Sequence, residues 1–323
     1  MLHALKSGYR ASLGYMLFFG SLSLSIYFFL PEPLSVKSGD FPFVNNQLAP
    51  HTCAWLNLLA FGVLMFQMYK LSDSDEVLKK HNFIPVFLVL VLWPLMGKKS
   101  QWDLNLWHQC FCIISFRGLF ATYRKDFQER KLFDAAFYLG LDYLLCGQGL
   151  VLLGLFIVTL FRLRSFKWKE VLSVGVGYAA PLIVYSLVNW YMEGQFDRVF
   201  YLTLNFKQPH DFEWKAALVY SQFLLGFICI AAFEFMRKNK IGVYAKQHTM
   251  HQLLALWMFW NLIQSFCLPN SPYQQLSYSL VPLSLYLGEY FALSKREAFW
   301  NTILGFVLLF LIIESTQDRW HWF

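Results

Sequence analysis

The chain has 323 residues, 57% of them hydrophobic and only 15% charged, against about 25% charged in soluble domains. So little polar surface excludes a water-soluble globular domain. The net charge of +7 does not imply a nucleic-acid partner, because the basic residues sit at the ends of apolar runs, where membrane topology explains them.

Taken in chain order, Lys6 and Arg10 precede a first apolar run that is too long for a signal h-region and lacks a small-residue cleavage site. It is expected to remain as a helix. Windows of roughly 20 apolar residues predict helices over 12–30, 52–70, 83–97, 105–121, 133–146, 149–163, 170–191, 213–236, 251–268, 275–293 and 298–315. The expected fold class is therefore all-α. It is a polytopic transmembrane helical bundle of about eleven membrane segments, because lipid tolerates no unpaired backbone. Residues 1–323 form one integral membrane domain. Its lysines and arginines fall mainly on one side, which places the N-terminus in the cytoplasm.

The first outer loop, PEPLSVKSGDFPFVNNQLAPH, carries Glu32 and Asp40. Either could serve as a general base toward a substrate covered by that loop. Next, CIISFRGLF puts Arg117 inside a span. The stretch from Lys131 to Lys169 opens and closes on basic residues, so both of its ends are expected on the cytoplasmic side. The chain must then reverse near Gly147-Gln148-Gly149 and form a short helical hairpin. Its first arm, read from residue 133, has about 14 residues and rises about 21 Å. That falls short of a hydrocarbon core of about 30 Å.

Two acids lie in this arm. Asp134 follows the basic loop YRKDFQERK, and a place in the first helical turn would complement the helix dipole. Asp142 lies too deep for that role. Intramembrane acids face a partner or a cavity, and Arg117 is the expected partner of Asp142 or of Asp134. Asp142 and Gln148 are expected to line a polar cavity at the hairpin tip. Arg117, Asp134, Asp142 and Gln148 together are the candidate substrate-binding residues.

Asn261 and Gln264 share one face of WMFWNLIQSF, and interhelical hydrogen bonding accounts for them. The six cysteines lie in or beside apolar segments and read as buried thiols, with no disulfide framework. Cys110-Phe-Cys112 has the wrong spacing for a zinc knuckle. The eight histidines are scattered, so neither a metal nor another cofactor is expected.

Three segments together carry a family resemblance: FRGLF, then ERKLFDAAFYLGLDYLL, then VPLSLYLGEYFALSKREAFWNTILGFVLLFL. The arrangement resembles the multi-pass inner-membrane family of Bacteroidota described as domain of unknown function 6427. The matching positions are Arg117, Asp134 and the PLS-x-x-L-x-x-YF-containing span at 282–291. The resemblance implies a location rather than an activity.

Two function classes stay open. One is an envelope-biogenesis protein that handles a lipid-linked precursor of the polyprenyl-phosphate type, glycosyltransferase-like or transporter-like. Membrane lipid and a lipid-linked glycan would be its partners. The other is a non-catalytic membrane subunit or assembly factor of a trans-envelope machine, which needs only packing faces and other envelope proteins.

Overall fold

A computed structural model describes residues 50–73, 83–96, 104–123, 125, 128–147, 149–163, 167–193, 249, 252–261 and 280–288. Among the described residues there are helices and no strands. In chain order they are α1 (Pro50–Asp73), α2 (Ile84–Met96), α3 (Leu104–Phe120), α4 (Glu129–Cys146), α5 (Gly149–Leu163) and α6 (Trp168–Glu193). Two further helical segments follow, α7 over 252–261 and α8 over 280–288. Each falls on an expected helix. Glu32, Asp40, Gln148, Gln264 and the segments over 12–30, 213–236 and 298–315 lie outside the described residues.

The contacts between helices define their directions. Cys110 donates its S–H to the Ala60 carbonyl, and Arg117 donates to Gln67, so α1 and α3 run parallel. The α3–α4 pair is antiparallel, since His108 meets Asp142 while Gly118 meets Ala135. The Ser173 hydroxyl donates to the Glu129 carbonyl over 2.6 Å. Gly177 abuts Phe133, and Gly140 abuts Tyr178 and Pro181. These three contacts make α4 and α6 parallel neighbours. At Gly140 and Gly177 a Cβ would collide with a carbonyl oxygen of the facing helix, so glycine is what lets the two backbones touch.

Parallel neighbours require a return helix between them, and α5 is that helix. Gly147 adopts φ 75°, a left-handed conformation open to glycine. Its N–H caps the Tyr143 carbonyl at 3.0 Å and so satisfies one of the orphan acceptors at the end of α4. Gly149 then lies directly against the backbone of residues 139–143. Further along α5, the Phe156 ring reaches Phe116 at 6.1 Å. The expected hairpin is thus present as a helical reversal at Gly147.

Its first arm is longer than the apolar window implied. α4 has 18 residues, about 27 Å, because Glu129, Arg130 and Lys131 extend the helix at its polar start. Glu129 therefore occupies the first turn, and Asp134 stands in the second turn, exposed. The dipole role expected of Asp134 belongs to Glu129.

Packing separates an inside from an outside. Residues 84–90 of α2 and 280–288 of α8 are buried on every side, the mark of helices at the centre of a bundle. Gly288 lies against Pro85. Phe116 joins α3, α5 and α7, stacking on Trp257 at 4.3 Å, and the Trp260 indole donates to the Val151 carbonyl. By contrast α6 exposes Val176, Ile183, Val184, Leu187 and Val188. Of the described helices, Trp168–Met192 is the one long and apolar enough to cross a membrane, and only 33% of that window is buried. A core helix of a soluble protein would be mostly covered. Gly149–Leu163 is a shorter apolar helix.

Candidate functional site

α3 carries His108 in its second turn and Cys112 one turn later, so both side chains point to the same side of the helix. That side faces α4 near its C-terminal end, where Asp142 lies one turn before Cys146. The His108 Nδ1–H donates to both carboxylate oxygens of Asp142, at 2.9 and 3.0 Å. Cys112 Sγ lies 3.6 Å from His108 Nε2 and 3.9 Å from Nδ1. Asp142 is 0% exposed, and His108 and Cys112 are each 1% exposed.

An imidazole, a thiol and a carboxylate are therefore enclosed together in an apolar bundle. Isolated charges in such a place are costly, and pairing is what makes them tolerable. Each group offers a metal-ligating atom, and the three atoms lie within 4.8 Å of one another. Gln109, the next residue on α3, is 0% exposed, and neither polar atom of its amide has a hydrogen-bond partner among the described residues. On α6 the buried Tyr178 brings its ring within 6.3 Å of Tyr143, one residue beyond Asp142.

The expected pairing of Arg117 with Asp142 or Asp134 is not what forms. Arg117 donates to Gln67 on α1, and Asp142 accepts from His108 on α3. Helix geometry explains the difference. Arg117 lies nine residues beyond His108, about 13 Å along the axis and on the opposite face of α3. Asp142 meets His108, so it stands at the wrong level and on the wrong side for Arg117. Asp134 is closer in level but turns to the exposed face of α4. Of the candidate substrate-binding residues that fall among the described ones, Arg117, Asp134 and Asp142, no two come together. Asp142 is the one enclosed in a polar centre.

His108 and Cys112 are the residues that sequence reasoning passed over, along with the metal-ligating set they form. A signal was available, because a His-x-x-x-Cys pair at helical spacing shares one face. It was hidden among eight scattered histidines.

A second feature is electrostatic. Every lysine and arginine among the described residues lies at the same end of the bundle. Lys70 and Arg117 end α1 and α3, and Arg162 ends α5. Lys125, Arg130, Lys131, Lys167 and Lys169 cluster where α4 and α6 begin. The parallel and antiparallel registers above place all these helix ends on one side. The His108–Asp142 centre lies toward the other side.

The resemblance drawn from FRGLF, the 129–145 segment and 282–291 rests on those residues alone. No family model, no curated protein and no solved structure matches the chain.

Proposed function

We propose that the chain is a multi-pass protein of the bacterial inner membrane, with a cytoplasmic N-terminus. In this reading it handles a lipid-linked, polyprenyl-phosphate type precursor during envelope biogenesis. The observation that carries the proposal is the gathering of all described lysines and arginines at one end of the bundle. Such an asymmetry marks the cytoplasmic side. It also makes that end an attractor for anionic headgroups, worth about 1 kcal/mol per basic residue near a charged membrane surface. Arg117 is the member drawn into the helix body, half-buried beside Gln67, where a guanidinium can hold a phosphate through paired N–H donors. Eleven segments, the inner-membrane location and kinship with the Bacteroidota family belong to the same proposal, as do Glu32 and Asp40 as the acids of a glycosyltransferase-like step.

The test is lipid retention. Native mass spectrometry of the detergent-purified protein should find polyprenyl phosphate retained in preference to uncharged polyprenol. Arg117→Ala should weaken that retention about ten-fold or more, the scale of one charge-assisted hydrogen bond. Equal retention of the two lipids, or an unaffected Arg117→Ala variant, would overturn the proposal.

One observation favours the second reading, a non-catalytic membrane subunit. The exposed apolar face of α6 offers a continuous strip to another helix as readily as to lipid. Stoichiometric co-purification of another envelope protein in mild detergent, lost on Val184→Arg, would support that reading over lipid handling.

A further inference from the structure

We propose that His108, Cys112 and Asp142 form a binding site for a borderline divalent transition-metal ion of the Zn2+ type. The inference does not rest on the lipid-handling reading. It comes from a different end of the bundle and from different chemistry.

Geometry comes first. Zinc bonds of about 2.0–2.1 Å to nitrogen, 2.0–2.2 Å to oxygen and 2.3 Å to sulfur place tetrahedral ligand atoms about 3.4 Å apart for N···O and about 3.6 Å apart for N···S. Here Nδ1 lies 2.9 Å from Asp142 Oδ1 and 3.9 Å from Cys112 Sγ. All three ligand atoms fall within 4.8 Å of one another. The N···O and N···S separations differ from the ideal ones by about half an ångström or less, which side-chain torsions can absorb. His108 and Cys112 are held one turn apart on a single rigid helix, and Asp142 is presented by the neighbouring one. Sites of this kind are more precise than sites built on loops.

Charge balance gives the second argument. Among the described residues, the carboxylate of Asp142 has the His108 N–H as its hydrogen-bond partner and lies at 0% exposure. Around a divalent ion, one carboxylate, one thiolate and one neutral imidazole sum to zero charge. A site of no net charge is what an apolar interior tolerates. A monovalent cation would not balance the thiolate form, and Mg2+ or Ca2+ would refuse sulfur.

The surroundings agree. Gln109 stands on the Cys112 side of His108, about 60° from Cys112 around the helix. Its amide is fully buried, with both polar atoms unpartnered among the described residues. An orphaned amide in a core costs about 1–3 kcal/mol and points to a polar occupant nearby. Three protein ligands leave a fourth position open, the arrangement of sites that bind water or a substrate rather than purely structural ions. Asp142 is also only one turn, about 6 Å, from the end of α4, which gives an ion a short way in.

The test uses the full-length protein in detergent, stripped with a chelator and titrated with Co2+ as a spectroscopic substitute. The wild type should develop thiolate-to-cobalt charge-transfer absorption with tetrahedral d–d bands, both removed by stoichiometric Zn2+. Cys112→Ser, nearly isosteric, should lose the charge-transfer band while keeping the helical circular-dichroism spectrum. Asp142→Asn should weaken binding more than about 100-fold, beyond what loss of an outer-shell partner costs. Cys110→Ser, whose thiol instead bonds the Ala60 carbonyl, should leave the band intact. A folded wild type without the band, or a band that survives Cys112→Ser, overturns the site. Neither result bears on polyprenyl-phosphate retention, so the two proposals fail separately.

Discussion

Asp134 and Asp142 stand about two turns apart on α4 and meet opposite environments. Asp134 is exposed, while Asp142 is fully enclosed and accepts from His108. Removing one member of a buried pair typically costs about 3–5 kcal/mol, because the remaining group is left buried without its counterpart. Asp142→Ala should therefore lower the unfolding midpoint in detergent sharply, and Asp134→Ala should behave as a near-neutral surface change. His108→Ala should lower the midpoint as well, because it leaves the enclosed Asp142 carboxyl without its hydrogen-bond partner on α3. Equal midpoints for Asp134→Ala and Asp142→Ala would show that the pair contributes nothing to stability.

Three glycines separate backbone conformation from close approach at the level of helices. Gly147 ends α4 at φ 75°, where a side chain costs about 1–2 kcal/mol. Gly140 sits where a Cβ would strike the Tyr178 carbonyl and Pro181. Overpacking of that kind costs about 1–3 kcal/mol, and backbone on the far side can yield less than a side chain would. Gly175 lies on α6, and a Cβ there would meet nothing within 4 Å. Gly175→Ala should therefore stabilise slightly through helix propensity, by up to about 1 kcal/mol. The expected order of midpoints is Gly175→Ala above wild type, with Gly147→Ala and Gly140→Ala both below it. A harmless Gly140→Ala would mean that α4 and α6 do not meet as closely as these contacts require.

On the scale of the whole molecule, the alternation of helix directions gathers the basic residues at one end and leaves the His108–Asp142 centre toward the other. That arrangement predicts the outcome of topology reporters. Fusions after Lys125 and after Lys169 should report the same side of the membrane, because α4 and α5 together return the chain to where it started. A fusion after Glu193 should report the opposite side, since α6 is long and apolar enough to cross. Opposite signals from Lys125 and Lys169 would break the hairpin reading.

The positions of the described helices and the reversal between α4 and α5 were legible in the residues themselves. Apolar runs bounded by bases dictate helices, two basic flanks demand a return, and glycine at 147 permits it. These are local or one-dimensional properties, and the chain carries them before it folds. The start of α4 was less legible, since Glu129-Arg130-Lys131 is polar yet forms helix readily. The partner of Asp142 was not legible at all. His108 is 34 residues away along the chain, and Gln67 is 50 residues from Arg117. Both pairings depend on which face each helix turns to its neighbour and at what height. Composition determined by itself that this chain folds as apolar helices. Only the tertiary structure decided that Asp142 meets an imidazole and a thiol instead of a guanidinium, because axial register and rotation are set by how whole helices pack against one another.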